Sequence, residues 1–226
     1  MKNIKLFAID IDGVILKDTF SPVLHTLILR HGGDYTRDIE RNVFSRNQIQ
    51  AANYIIETLE INITAHHLID EYFTEREAYL KHHDGGLNED ALETLALLSE
   101  FKLPILCYGG LEKHKIHKEF LPCMDFFDDY ICTNSFRPGM KEIIYSAKLS
   151  PTNVLFIDDV NTVAETCKNL GTGFIGLPPS HTWGWQDSDM KRTGVVHRLS
   201  SLTQITKERI LEIDIDPGKC FKPQPV

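Results

Sequence analysis

The amino-acid sequence predicts an α/β fold, a parallel sheet with helices on both faces into which an α-helical cap is inserted near the start of the chain. Three observations predict it. Two short apolar runs end abruptly in acid, Leu6-Phe7-Ala8-Ile9-Asp10 and Val154-Leu155-Phe156-Ile157-Asp158, as strands of a buried sheet do. From about Asn88 onward, helical and strand-like patterns alternate, which calls for right-handed crossovers and a layer of helices on each side. Between Asp18 and Asp84 every pattern is helical, and a run of helices has no place in that layering. Residues 18–84 are therefore read as the cap, and residues 1–17 with 85–226 as the core.

The elements follow in order. After the first strand, Ser21-Pro22 reads as an N-cap with a first-turn proline, opening a helix to Arg30 that Gly32-Gly33 ends. Further helices are expected at about 42–59 and 64–81, where Ile55, Ile56 and Leu59, then Leu68, Ile69, Tyr72 and Phe73, form apolar stripes. Asn88 reads as the N-cap of a helix through Leu92, Leu95 and Leu98 to Phe101, ahead of a strand at 104–108. A helix near 111–120, a strand near 130–132, a helix near 139–149 and the strand ending at Asp158 come next. Asn161 to Leu170 is a helix stopped by Gly171, 173–177 a strand, and Val195-Val196-His197 a last short strand. Trp183-Gly184-Trp185 marks an irregular loop whose tryptophans read as packing, and the tail from Lys219 reads as loose.

With 226 residues, 42% of them hydrophobic, the chain can bury an ordinary globular core. Its 24 basic and 32 acidic residues give a net charge of -8, which argues against broad binding to nucleic acid or to anionic membrane surfaces. No apolar run reaches the ~20 residues of a membrane span, and the expected location is cytoplasmic. Cys107, Cys123, Cys132, Cys167 and Cys220 are odd in number and never form Cys-x-x-Cys, so neither a disulfide framework nor a zinc site is expected. The paired histidines at 66–67, 82–83 and 114/117 read as surface or packing residues.

The chemistry lies in the acids. Asp10 and Asp12 stand one residue apart at the end of a strand, ahead of Gly13, and two carboxylates so close raise each other's pKa unless a cation offsets them. A Mg²⁺ site of oxygen ligands is the natural reading. Asp158-Asp159 repeat the design, and because ligands of open parallel sheets bind beyond the carboxyl ends of strands, both acidic ends should face one crevice.

Asp10-Ile11-Asp12-Gly13-Val14 matches D-x-D-G-[TV], and with Asp158-Asp159 and the α/β alternation the chain resembles the haloacid dehalogenase-like (HAD) hydrolase superfamily over residues 4 to 202. The resemblance is to the branch with a helical cap between its first two motifs, the branch of phosphoglycolate phosphatases and β-phosphoglucomutases. It implies a Rossmann-like core, Asp10 as the nucleophile toward phosphorus, Asp12 as the proton carrier, and Mg²⁺ held by Asp10, Asp12, Asp158 and Asp159, with Asp159 the direct ligand of the second pair. The third motif, usually Lys-Pro, here reads Arg137-Pro138, which leaves Arg137 as the aligned cation and Lys141 as a candidate one helical turn on. The second motif should place a Ser or Thr after its strand to bind phosphate. Cys107-Tyr108-Gly109-Gly110 stands there instead, so Cys107 or Tyr108 takes that place, or the backbone N–H groups of Gly109 and Gly110 share it.

The implied function is a Mg²⁺-dependent phosphatase acting on a small phosphorylated metabolite. A phosphomutase, or an impaired module that only binds a phospho-ligand or a protein, are the alternatives. Asp214-Ile215-Asp216 and Asp128-Asp129 repeat the acidic spelling without its context and read as solvated or turn acids. In the cap, Arg41, Arg46, Lys81 and His82 are the available cations, each read as a solvated surface group.

Overall fold

The computed structural model describes residues 1–222, so the tail's final four residues, 223–226, lie outside the described part. Five strands form one sheet: β1 (Leu6–Asp10), β2 (Ile105–Gly109), β3 (Asp129–Cys132), β4 (Val154–Asp158) and β5 (Gly173–Gly176). Their order is β3-β2-β1-β4-β5, and every pairing is parallel. Each residue of β1, β2, β4 and β5 is buried, which requires cover on both faces and explains why these strands read as unbroken apolar runs. The chain leaves β1 toward β2 on one side and later returns to β4 on the other, so a crevice opens at the carboxyl ends beside β1.

Four helices precede β2 in the inserted segment: α1 (Phe20–Arg30), α2 (Arg37–Val43), α3 (Gln48–Leu59) and α4 (Ala65–Leu80). They share a hydrophobic cluster of their own, including Leu24, Ile28, Val43, Ile55 and Leu68, separate from the large cluster around the sheet. The chain enters and leaves this segment side by side, with Leu16 bridged to Leu87 and the Lys17 amide bonded to the Gly86 carbonyl. The helix expected over 42–59 is two helices. Ser45 takes a positive φ of 52°, and the Asn47 side chain caps α3 by accepting from the Ile49 and Gln50 amides. Thr19, not Ser21, is the N-cap position of α1, and the Asp18 carboxylate accepts from the Ser21 amide at 2.9 Å.

The core helices are α5 (Ala91–Ser99), α6 (Met140–Ser146), α7 (Asn161–Leu170), α8 (Gln186–Thr193) and α9 (Lys207–Ile215). Asp90 rather than Asn88 begins α5, because the Asn88 amide is spent on the Val14 and Leu16 carbonyls. Residues 113–126 form short 3-10 turns around Pro122 rather than the expected helix. Val195–His197 is no strand; Val195 makes one isolated bridge to Phe221. That bridge, the buried Cys220 and the stacking of Phe221 on Phe174 pin the start of the tail that was expected to be loose. Asp214 is not solvated either: it is buried and accepts from the Lys2, Asn3 and Ile4 amides, tying α9 to the amino terminus. Asp128 takes the Ile105 amide at 2.8 Å.

A polar lock joins the cap to the core. Arg37 and Arg41 of α2 donate to the buried Asp189 of α8 at 2.7 and 3.2 Å, and Arg41 also reaches Glu165 of α7 at 2.9 Å. Glu40, buried between them, accepts from the Trp185 amide at 2.9 Å and the Gln186 side chain at 2.7 Å. Burial pushes its carboxyl pKa up, against the pull of these donors. Trp183 packs on the cap, stacked between His25 of α1 and His181. No helix among the described residues is long and apolar enough to cross a membrane.

Candidate active site

The parallel register brings the acidic ends together. Asp10 closes β1 and Asp158 closes β4, the adjacent strand, and both carboxylates are buried. After β1 the chain folds into a tight loop, with the Leu16 amide bonded to the Ile11 carbonyl and the Gly13 amide to Leu16. Gly13 has a φ of +87°, and a Cβ there would stand 2.2 Å from Asp159 Oδ2, so glycine alone lets the Asp159 carboxylate rest on the Asp10–Asp12 loop.

Each acid has a distinct environment. The Tyr108 hydroxyl, reaching from β2 across β1, donates to Asp158 Oδ2 at 2.6 Å, and the Val160 amide donates to Oδ1 at 2.7 Å, so both oxygens are engaged. Burial lifts Asp158 to about 6 in spite of these bonds. Asp10 is held well above the ordinary carboxylate range by burial first and the Asp158 charge second, with Arg137 opposing. Asp159 is raised likewise by burial, Asp158 and Asp10. Asp12 is raised by burial and drawn down by Arg76, a cap residue on α4.

Arg137 is the cation that the core brings to the cluster. Its Nε is buried and has no hydrogen-bond partner, although the guanidinium opposes the charge of Asp10, Asp12 and Asp158. Gly110, the first residue past β2, makes room for it: a Cβ on Gly110 would lie 1.9 Å from Arg137 Nη2. Lys141, the other candidate, is exposed on α6 and does not line the cavity. Cys107 and Tyr108 are fully buried within β2 and do not line it either, so neither stands in for the expected Ser or Thr; Gly109 closes the strand and Gly110 faces the site. The absence of a side chain at 110 leaves the space that the Arg137 guanidinium fills.

A cavity of about 150 Å³ opens over this cluster. Asp10, Asp12, Asp158, Asp159, Gly110 and Arg137 line it from the core, and α1, α3 and α4 line it from the cap. Of the cap cations picked from the sequence, Arg46 lines the cavity, Arg41 belongs to the polar lock, and Lys81 and His82 do neither. Arg76, Asp18 and Asn134 line it without having been singled out, and Tyr72, read only as part of an apolar stripe, lines it too.

No protein-family model matches the sequence, and no curated protein matches it. Solved structures do. The β-phosphoglucomutase of Clostridium difficile superposes with a TM-score of 0.67 at 17% identity, over 92% of this chain and 96% of that one. This is the fold of the haloacid dehalogenase-like hydrolases. A family IA, variant 3 HAD hydrolase from Entamoeba histolytica gives a TM-score of 0.68 at 15% identity, over 94% and 100% of the two chains. CbbY from Rhodobacter sphaeroides, solved with xylulose-(1,5)bisphosphate, gives 0.65 at 9% identity, over 89% and 96%. At these identities what is shared is the HAD-like fold, and the chemistry rests on the residues above.

Metal binding can be tested on the donor set. Among the described residues no three His, Cys, Asp or Glu side chains form a ready-made cluster. The site instead offers buried, mutually repelling oxygen donors, which suits a hard divalent ion held by one or two carboxylates with waters and a substrate phosphate. Asp10 and Asp159 fit that role best, since each Asp158 oxygen already accepts one protein hydrogen bond and has a single lone pair left for a metal.

Proposed function

We propose that this chain is a Mg²⁺-dependent phosphatase that hydrolyses a small phosphomonoester through an aspartyl-phosphate on Asp10. The observation that carries the reading is the buried, partnerless Nε of Arg137 set beside the carboxylates of Asp10, Asp12 and Asp158: a planar fork of donors beside a nucleophile is what an in-line phosphoryl group needs.

In the first half-reaction an Asp10 carboxylate oxygen attacks phosphorus, the ester P–O bond breaks, and the leaving oxygen takes the proton held by Asp12. Burial raises the Asp12 pKa and so favours the protonated form this step requires. In the second, Asp12 takes a proton from water as that water attacks the aspartyl-phosphate, releasing inorganic phosphate and restoring Asp10. Arg137 orients the phosphoryl oxygens and offsets their charge throughout. Mg²⁺, held by Asp10 and Asp159, would supply charge neutralisation on the phosphoryl group when bound. Tyr108 and the Val160 amide keep Asp158 fixed beside them. A cytoplasmic setting and a small phosphorylated metabolite as substrate belong to the same reading, the latter supported by a cavity of about 150 Å³ between cap and core.

The test is acid quenching of the enzyme during turnover of a radiolabelled aryl phosphate with Mg²⁺. Label should remain on wild-type protein and be absent from Asp10→Asn. Equal label on both would place the intermediate elsewhere and overturn the assignment.

A further inference from the structure

The cavity above the acids is not built for a polyol. Of the eighteen cap residues that line it, twelve are apolar or aromatic, among them Leu24, Phe44, Ala52, Ile55 and Leu68. These same five belong to the cap's hydrophobic cluster and are all buried. Tyr72 adds a ring whose hydroxyl burial holds in its neutral form. Arg76 donates its Nε to Thr19 at 3.2 Å, so part of the cap's polar lining is already committed within the protein.

A sugar phosphate seated here would bury several hydroxyls against carbon, and each unpaired hydroxyl opposes binding. An apolar leaving group gains with every carbon removed from water. The volume sets the scale of the group, since a cavity on the order of 150 Å³ takes up a molecule about as large as benzene.

We infer that the substrate is the phosphomonoester of a small apolar alcohol, an alkyl or aryl group of about four to six carbons with no free hydroxyls, whose carbon end enters the cap between α1, α3 and α4 while its phosphate meets Arg137 and Asp10. This rests on the phosphatase reading and narrows it.

Two measurements test it, one of them independent of turnover. Calorimetric titration with n-alkylphosphonates, in Mg²⁺, should show affinity rising roughly fourfold per methylene from methyl to about hexyl and then levelling off. Glycerol and hexose phosphates should bind more weakly than butylphosphonate. Affinity that is flat with chain length, or tighter for the polyol phosphates, would overturn the inference whatever the activity. Phosphate release from the corresponding n-alkyl, benzyl and hexose phosphates should follow the same order in kcat/KM. If phosphonate affinity climbs but no ester is hydrolysed, the cavity assignment stands and the phosphatase reading fails. If hexose phosphates are the better substrates, the reverse holds. Ala52→Leu, which fills the cavity floor on α3, should shorten the preferred chain by two or more carbons. Should that variant fail to fold, Ala51→Phe at the neighbouring half-buried lining position carries the same test. An unchanged preference in a folded variant would contradict the placement of the carbon chain.

Discussion

The fit between Gly110 and Arg137 is expected to behave as a coupled pair. A Cβ at residue 110 would stand 1.9 Å from Arg137 Nη2, where ordinary contact begins at 3.4 Å, so Gly110→Ser must push the guanidinium end by about 1.5 Å. Misplacement of a positioning group by ~1 Å can cost on the order of 10²-fold in rate. Because the atom displaced is the far end of a flexible side chain, stability should change by no more than ~0.5 kcal/mol. Arg137→Lys, which loses the fork and one or two charge-assisted hydrogen bonds of ~1.5–3 kcal/mol each, should cost ~10- to 10²-fold or more. Independent effects would multiply. The double variant Gly110→Ser/Arg137→Lys instead supplies a hydroxyl and a slender cation in place of one bulky fork, so its kcat/KM should be no worse than the poorer single, a coupling of at least ~1.4 kcal/mol. The assay is steady-state phosphate release for all four proteins with thermal melts alongside. Multiplicative losses, or a large drop in melting temperature for Gly110→Ser, would refute the reasoning.

Two further outcomes follow from the buried acids and the cap lock. Asp10 has a folded-state pKa above its unfolded value, so its contribution to stability is full below about 4 and is lost as pH rises through the folded value. Asp10→Asn should therefore gain on wild type in melts run with chelator as pH goes from 4 to 8, and a pH-independent difference would contradict the environment described. Glu40→Ala leaves the Trp185 amide and the Gln186 side chain without an acceptor, at ~1–3 kcal/mol each. For a chain of this length that is a fall in melting temperature of roughly 4–24 °C, and a melt within 2 °C of wild type would show that the lock contributes little.

How much of this was legible depended on what the residues bury. The strands β1, β4 and β5 and helix α7 could be read directly, because strands covered on both faces become unbroken apolar runs and Gly171 stops α7 in the left-handed conformation. Helix α8, Gln-Asp-Ser-Asp-Met-Lys-Arg-Thr, has one large apolar residue and is held by Asp189 and Gln186 reaching the cap, so hydrophobic periodicity had nothing to detect. The extra break after α2 turns on Ser45 and on a side-chain cap by Asn47 that looks like an ordinary polar residue. In the site, the acids, Gly110 and Arg137 were legible from local motifs. Tyr108's bond to Asp158 and the approach of Arg76 to Asp12 were not, since both depend on contacts across the sheet or between cap and core.

The most direct measurement is phosphate release from phenyl phosphate in Mg²⁺ and in excess chelator, wild type beside Asp10→Asn. The account expects turnover only from wild type and only with Mg²⁺. Turnover that survives the chelator, or a folded Asp10→Asn protein that hydrolyses the ester as fast as wild type, would contradict it.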